Sequence, residues 1–383
     1  MNIRMVDTIT QYQKIKDEID LELNKVFESG AYINGPIVKQ FRNNLSQFLN
    51  GAHVVACANG TDALQVALMA AGVQPGDEVI TTPFTFVATV EVVALLGAKP
   101  VFVDVDPQTF NIDPEKIEAA ITPKTKAIVP VHLFGQCSDM ESILSIAQKH
   151  GICVIEDAAQ SIGAEFTFSD GRVEQSGTMG DMGTTSFYPS KNLGAFGDAG
   201  AIFSNNDELA DKAQVICNHG SEVKYYHQSI GVNSRLDSMQ AAVLDVKLRY
   251  LKEYNQARNE AADLYDSLLS DCDDVFEPYR APYSTHVFHQ YTLRIKAGRK
   301  ARDLVQAKLN EMGVPSMIYY PVSLHLQGAY EEYGYQPGDF PVSEKLTEEV
   351  LSLPMHTELD ESQQTFIINS LKQALTFSKT EKV

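Results

Sequence analysis

One lysine lies in a segment that suits neither a helix nor a strand. Lys191 stands between Pro189-Ser190 and several glycines, in the stretch GTTSFYPSKNLGAFGDAG of residues 183–200. Glycine permits close backbone approach and positive φ angles, so this pattern predicts an irregular loop that holds one amine in a confined space. A desolvated lysine has a lowered pKa and becomes a nucleophile toward carbonyl carbons. A solvated loop lysine is the commoner arrangement, so the neighbouring chemistry must distinguish the two.

A carboxylate follows an apolar strand earlier in the chain. Residues 153–155 predict a buried strand, and Asp157 comes directly after it in the sequence VIEDAAQ. A pyridoxal phosphate site needs such a pair at neighbouring strand ends. The carboxylate keeps the pyridine nitrogen protonated, and the lysine holds the cofactor as a Schiff base. Lys191 and Asp157 together therefore predict a pyridoxal phosphate enzyme.

Further candidates also follow predicted strands. The segment HVVACA leads through Asn59-Gly60-Thr61 into an apolar helix, a geometry that directs free N–H groups at an anion. Capping of that helix by Thr61 would explain the same residues equally well. Phe86 follows the next strand, where its ring could stack on a planar cofactor or pack in the core. His132 follows another strand, and we expect a hydrogen-bonded structural histidine there.

The order of these segments predicts an α/β fold. Short apolar strands alternate with helices over residues 50–160, which is typical of a largely parallel sheet. Ligands bind beyond the carboxyl ends of such strands, where the candidates above converge. A long helix predicted at 236–255 leads out of this region. We therefore expect a large domain over residues 1–250 and a small C-terminal α+β domain over 251–383.

Composition excludes several classes of protein. The 383 residues carry 31 basic and 50 acidic side chains, a net charge of −19 that argues against nucleic acid or anionic membrane as partner. No apolar run approaches the roughly 20 residues of a membrane-spanning helix. The five cysteines are scattered without a CxxC pair, and the histidines lack the spacing of metal ligands. We expect a cytoplasmic enzyme without a metal.

Several segments in this order resemble the DegT/DnrJ/EryC1/StrS family of nucleotide-sugar aminotransferases over nearly the whole chain. They are NGTDAL (59–64), PFTFVAT (83–89), PVHLFGQ (130–136), VIEDAAQ (154–160), TSFYPSKNLGAFGDAGA (185–201), GVNSRLDSMQAA (231–242) and YYPVSLHLQ (319–327). The resemblance implies a fold-type-I pyridoxal 5'-phosphate enzyme with a mostly parallel seven-stranded sheet. It also implies a homodimer whose active sites lie at the subunit interface.

The resemblance also implies residue roles. Lys191 matches the Schiff-base lysine, Asp157 the pyridinium partner and Gln160 a residue near the cofactor phenolate oxygen. Further cofactor contacts are the stacking ring of Phe86, the phosphate-binding Gly60, Thr61 and Ser186, and Asn233, which reaches the phosphate from the other subunit. The residues matching contacts to the sugar or its nucleotide are Tyr32, Ser190, Arg235, Tyr319, Tyr320 and His325.

The implied reaction moves an amino group from L-glutamate to C3 of a keto nucleotide sugar for surface polysaccharide, including lipopolysaccharide, biosynthesis. The segments CANGTDALQ and GVNSRLDS favour UDP-2-acetamido-2-deoxy-3-oxo-glucuronate as substrate. Some enzymes of that subgroup have His where Tyr319 stands, so the sugar pocket could differ. Alternatives are a dTDP-3-oxo-6-deoxyhexose aminotransferase, a sugar dehydratase and a regulatory protein. One dehydratase branch carries His in place of the lysine, which Lys191 argues against.

Overall fold

The computed structural model describes residues 3–380, and its strands form three sheets. The strands are β1 His53–Cys57, β2 Glu78–Thr81, β3 Lys99–Phe102, β4 Thr125–Ile128, β5 Cys153–Asp157, β6 Glu165–Thr167, β7 Val173–Gln175, β8 Met182–Ser186, β9 Gly200–Ser204, β10 Val275–Phe276, β11 Tyr291–Ile295 and β12 Val350–Leu353. The largest sheet has seven strands in the order β1-β9-β8-β5-β4-β2-β3.

This large sheet is mostly parallel, as predicted. The pairs β2–β3, β2–β4, β4–β5 and β5–β8 run parallel, whereas β9 is antiparallel to both β8 and β1. A parallel neighbour needs a crossover connection, usually a helix. The segment between β8 and β9 contains no helix and carries Lys191, so the chain returns alongside β8 in the opposite direction. The lysine loop therefore lies at the carboxyl end of β8.

Helices cover both faces of the large sheet. The α-helices of residues 3–380, of which only some lie on this sheet, are α1 Thr8–Lys14, α2 Lys16–Ser29, α3 Pro36–Phe48, α4 Gly60–Ala70, α5 Ala88–Leu95, α6 Pro114–Ala120, α7 Met140–His150, α8 Asp207–Cys217, α9 Ser238–Leu248, α10 Leu251–Leu269, α11 Arg299–Glu311, α12 Pro341–Glu349 and α13 Glu361–Thr380. Helices α4, α5 and α8 share one apolar core with the sheet, and α3 and α9 share another. No helix within residues 3–380 combines the length and apolar composition that a membrane crossing requires.

A three-stranded antiparallel sheet, β10-β11-β12, packs with α10, α11 and α13 around a separate core. Residues such as Tyr265, Leu293 and Leu371 fill this core, and Ile3 from the start of the chain joins it. The C-terminal part thus mixes helices with antiparallel strands. The division of the chain at residue 250 stays a prediction.

Three predicted boundaries were wrong. The spacing of Ile15, Ile19 and Leu23 predicts one amphipathic helix over 11–29, but the helix is split at Ile15, whose φ of −120° and ψ of 18° are not helical. The helix expected over 236–255 is also two helices, α9 and α10, separated at Arg249-Tyr250. The sequence of residues 286–295 predicts a strand over the whole segment, but the strand begins only at Tyr291, because Phe288 has a positive φ of 42° and cannot continue a strand.

Candidate active site

A cavity of about 770 Å³ lies beyond the carboxyl ends of β5 and β8 and at the start of α4. Parallel strands end at the same edge of a sheet, so residues far apart in sequence meet there. The cavity brings together most of the predicted site residues: Gly60, Thr61, Phe86, Asp157, Gln160, Ser186, Ser190, Lys191, Tyr319 and Tyr320. The sheet edge therefore positions one chemical site.

Lys191 enters this cavity from a loop with a fixed backbone. Asn192, the next residue, is buried and donates from its amide to Asn255 Oδ1 and to the Val287 carbonyl, both at 2.8 Å. Gly194 packs so closely that a Cβ there would lie 2.4 Å from the Pro189 carbonyl oxygen. The amine itself has no hydrogen-bond partner among residues 3–380. The fixed loop thus leaves the amine available to a ligand.

The ammonium of Lys191 is destabilised where it lies. Burial removes water from the charged group and lowers its pKa from 10.5 to about 8, although the negative charge of Asp157 acts in the opposite direction. Near neutral pH, both the protonated and the unprotonated amine are then populated. Such an amine can act as a nucleophile and can also transfer protons.

Asp157 is a buried carboxylate held by neutral donors. Its Oδ2 accepts a 2.8 Å hydrogen bond from Thr89 Oγ1, and its Oδ1 accepts one of 3.2 Å from the Ala159 N–H. The side chain is 5% exposed, and no Lys, Arg or His within the described part of the chain forms an ion pair with it. A buried carboxylate without a cationic partner suits a ligand that brings a positive charge.

His132 has the structural role that the sequence predicted. Its Nε2 lies 2.8 Å from Glu156 Oε2, and its Nδ1 accepts a hydrogen bond from the Ser138 N–H. Glu156 is fully buried and also accepts from the backbone N–H groups of residues 177, 179 and 180. Both ring nitrogens of the histidine are therefore occupied within the protein. The pair fixes the end of β5 directly beside Asp157.

The first turn of α4 forms a cradle for an anion. Asn59, not Thr61 as the capping interpretation supposed, is the N-cap, because its Oδ1 accepts the Asp62 N–H at 2.8 Å. A Cβ on Gly60 would lie only 2.6 Å from Ser186 Cβ, so only glycine fits between helix and strand. The helix start offers N–H groups and a positive dipole end, and Ser186 adds a hydroxyl. This donor set fits a phosphate.

Aromatic and amide groups complete the walls. Phe86 is 55% exposed at the rim, whereas Phe84, two residues earlier, is fully buried in the core. Gln160 accepts from the Phe134 N–H at 2.6 Å and donates to the Tyr320 hydroxyl at 3.3 Å. Phe86 can cover the face of a flat ring, and Gln160 is held at a fixed position in the wall.

Four predicted site residues lie outside this cavity. Tyr32 is 49% exposed and Asn233 is also exposed, while Arg235 lines a different cavity. His325 is buried, and its ring contacts Ser323 Oγ at 2.9 Å and Glu344 Oε1 at 3.1 Å. Burial lowers the pKa of this imidazole, partly opposed by Glu344. Within one chain, these residues do not reach Lys191.

Several site residues were not predicted from the sequence. Thr89 is buried and donates to Asp157, and its position four residues after the cavity-lining Thr85 in the segment PFTFVAT was the available signal. His289 lines the cavity, is 6% exposed and has no hydrogen-bond partner for Nδ1 among the described residues. Burial, with the charges of Lys191 and Arg258, holds its pKa well below the usual range, so the ring is neutral. No local pattern pointed to it.

Comparison with known proteins assigns the chain to a family. A model of the DegT/DnrJ/EryC1/StrS aminotransferase family matches residues 13–372. The chain is 49% identical over 375 residues to a pleiotropic regulatory protein of Geobacillus stearothermophilus, covering 97% of this chain and 98% of that protein. It is 47% identical over 358 residues to the UDP-2-acetamido-2-deoxy-3-oxo-D-glucuronate aminotransferase of Pseudomonas aeruginosa. This match covers 94% of this chain and 96% of that enzyme.

A solved structure gives the same result. NtdA from Bacillus subtilis with bound cofactor PMP is 36% identical, has a TM-score of 0.85 and is covered over 82% of its length by 95% of this chain. The fold and the family suggested by the sequence motifs are thereby confirmed. The chain belongs to the DegT/DnrJ/EryC1/StrS aminotransferase family.

Proposed function

We propose that this chain is a pyridoxal phosphate-dependent aminotransferase that moves an amino group from L-glutamate to C3 of a keto nucleotide sugar. UDP-2-acetamido-2-deoxy-3-oxo-glucuronate is the favoured acceptor, supported by the 47% identity to the Pseudomonas aeruginosa enzyme named for that sugar. A desolvated amine and a buried carboxylate in one cavity, Lys191 and Asp157, carry this proposal. The product would enter surface polysaccharide biosynthesis.

The residues of the cavity fit the cofactor. Pyridoxal phosphate, when bound, supplies an aldehyde and a ring that accepts electrons from the carbon being aminated or deaminated. Gly60, Thr61 and Ser186 would hold the phosphate, since a helix start and a hydroxyl converge there. Phe86 would cover the ring face from the rim, and Gln160 would contact the ring edge.

Asp157 would bind the ring nitrogen of the cofactor and keep it protonated. Its carboxylate has two neutral donors, Thr89 and Ala159, which fix its direction but do not neutralise it. A protonated nitrogen is the partner that such a carboxylate lacks. Buried and charge-assisted hydrogen bonds of this kind are the strongest class in proteins, so the contact would orient the ring as well as charge it.

Lys191 would serve as nucleophile and as the group that moves protons. With a pKa of about 8, its Nζ is partly unprotonated near neutral pH and can attack an aldehyde. Once free, the same amine can remove a proton from the donor carbon in one half-reaction and deliver a proton to the acceptor carbon in the other. The hydrogen bonds of Asn192 would keep this amine in the cavity through both half-reactions.

The residues outside the cavity fit a shared active site in a homodimer. Tyr32, Asn233 and Arg235 belong to neighbouring segments, because the Tyr32 carbonyl accepts the Ser238 N–H at 2.9 Å and Ile33 pairs with Asp237. They therefore lie on one surface that is separate from the cavity of their own chain. We place them in the partner's site, as sugar or phosphate contacts. His325, bonded within its own chain, would support the pocket wall instead.

We also propose that the enzyme acts in the cytoplasm. Its five cysteines, all within the described residues, are free thiols. Free and mostly buried thiols are typical of proteins that work in a reducing compartment. The amino donor and the nucleotide sugar would be met there in solution.

Two half-reactions test the proposed function. Incubation with L-glutamate should convert the aldehyde form of the holoenzyme to the amine form, seen as a change in the cofactor absorbance. The amine form is then mixed separately with the 3-oxo UDP-uronate and with a dTDP-3-oxo-6-deoxyhexose. We expect the UDP sugar to restore the aldehyde form faster. Restoration by the dTDP sugar alone would reassign the substrate, and no response to glutamate would favour a regulatory protein.

A further inference from the structure

A second cavity, of about 550 Å³, lies along the edge strand β1 between α3 and the end of α8. We call it the basic groove, defined by its basic lining residues Lys39, Arg42 and Arg235; His53 also lines it, but its Nε2 lies 2.7 Å from Asp207 Oδ1. Its lining contains no aspartate or glutamate among the described residues, although the chain carries a net charge of −19. A concentrated positive cavity on an acidic protein indicates an anionic ligand.

Arg42 is the central cation of the basic groove. Its Nε donates to the Val54 carbonyl at 2.7 Å, which fixes the guanidinium against β1. The other two guanidinium nitrogens have no hydrogen-bond partner within residues 3–380. Partial burial lowers the pKa of Arg42, yet a guanidinium stays charged at neutral pH. The side chain thus presents a fixed, unpaired fork of the kind that binds phosphate in two places.

The Lys191 cavity has the opposite charge. Its lining includes Asp62, Asp157 and Asp198 against Lys191, and its histidine, His289, is neutral. The proposed substrate brings a diphosphate, and a uronate adds a carboxylate. Anions entering a cavity with this excess of carboxylates are repelled unless cations are supplied from elsewhere. Apart from Lys191, no lysine or arginine among the described residues lines this cavity, so further cations for the diphosphate would have to come from another surface.

We propose that the basic groove of one chain binds the diphosphate of the nucleotide sugar held in the partner's active site, with Arg42 and Lys39 as binding residues. This inference rests on the proposed function and its shared homodimer sites. Arg235 lines the groove, so the groove continues into the surface that carries Tyr32. Tyr32, Ile33 and Met239 are exposed beside it, as expected for a surface that a second copy of the chain covers.

Kinetics of groove variants test the assignment. In Arg42→Gln and, separately, Lys39→Gln, the ratio of the KM for the UDP sugar to the KM for L-glutamate should rise at least about 10-fold, because one charge-assisted hydrogen bond is lost. Lys39 is exposed, so its variant tests the binding role without disturbing the fold. Lys212→Gln on α8, outside the groove, is the control and should leave the ratio unchanged. An unchanged ratio in both groove variants overturns the proposal.

Mixed dimers test whether the groove acts across the interface. A Lys191→Ala chain has an intact basic groove but lacks the proposed catalytic amine. An Arg42→Gln chain has this amine but an impaired basic groove. Hybrids, purified through two different tags, should recover the wild-type KM for the UDP sugar at one of their two sites. A hybrid that keeps the raised KM of Arg42→Gln would place the groove in its own chain's site and overturn the proposal. If the wild-type enzyme itself shows no half-reaction with L-glutamate, that result would instead contradict the proposed function.

Discussion

Two lysines of this protein, Lys191 and Lys247, have the same lowered pKa in very different surroundings. Burial lowers the pKa of each from 10.5 to about 8. The charge of Asp157 partly counteracts this effect at Lys191, whereas the charge of Arg258 adds to it at Lys247. Lys191 opens into a cavity, but Lys247 is 2% exposed and donates to the Gly194 carbonyl at 2.6 Å.

The comparison shows that a lowered pKa alone does not identify a catalytic amine. Lys247 lies on α9 and contacts, through Gly194, the same loop that carries Lys191. Gln240, also on α9, accepts the Phe196 N–H at 2.8 Å, so the helix holds this loop at two points. We interpret Lys247 as a positioning residue. We infer that Lys191 is the catalytic amine, because it combines a lowered pKa with a position in an open cavity that Asp157 also lines.

The largest expected effect separates the two lysines by turnover. Lys191→Met should reduce the glutamate half-reaction at least about 10³-fold, because both the nucleophile and the proton-transferring group are lost. Lys247→Met keeps an unbranched side chain, one atom shorter than lysine, and should reduce the rate of the glutamate half-reaction less than about 10-fold. Single-turnover absorbance measurements on the two holoenzymes compare them directly. Equal losses in both variants would mean that Lys247 is as important for the half-reaction as Lys191.

The carboxylate that faces Lys191 should matter next. In the wild-type protein the negative charge of Asp157 raises the pKa of Lys191. Asp157→Asn keeps the shape of the side chain and removes this charge. We expect the pKa of Lys191 to fall below about 8 in the apoprotein and turnover to fall about 10²-fold, as when one stabilising electrostatic contact is removed. The pH dependence of Lys191 labelling by an amine reagent, quantified by peptide mass spectrometry, measures the first effect. An unchanged labelling midpoint would exclude electrostatic contact between the two groups.

Sequence patterns predicted the parts of the site that depend on strand ends. Gly60, Phe86, Asp157 and Lys191 meet in one cavity because each follows a strand of the same sheet, and topology alone brings such residues together. The family motifs added Ser186 and the tyrosines at 319–320, which no periodicity would have found.

The remaining features depend on tertiary packing, which sequence patterns do not describe. His289 enters the cavity because the chain leaves the β region at Phe288, one residue earlier. The position of Arg235 in the basic groove follows from the pairing of residues 33 and 237, which are distant in sequence. Lys247 lies on α9, which is buried on nearly all sides. The apolar residues of this helix therefore do not separate a buried face from an exposed one in the sequence.

The smallest expected effect is a change in stability with pH at Lys247. Below pH 8 this lysine is charged in both the folded and unfolded states, and the folded state carries the full cost of burying the charge. As pH rises from 8 toward 10.5, the folded state loses its proton first and that cost disappears. Between pH 7.5 and 9.5, wild-type apoprotein should therefore gain about 2 kcal/mol of unfolding free energy relative to Lys247→Met. Lys191 titrates in both proteins, so its contribution to the pH dependence of stability cancels in the difference between them. Urea denaturation at the two pH values measures it, and parallel pH dependences would mean that Lys247 is not destabilised by burial.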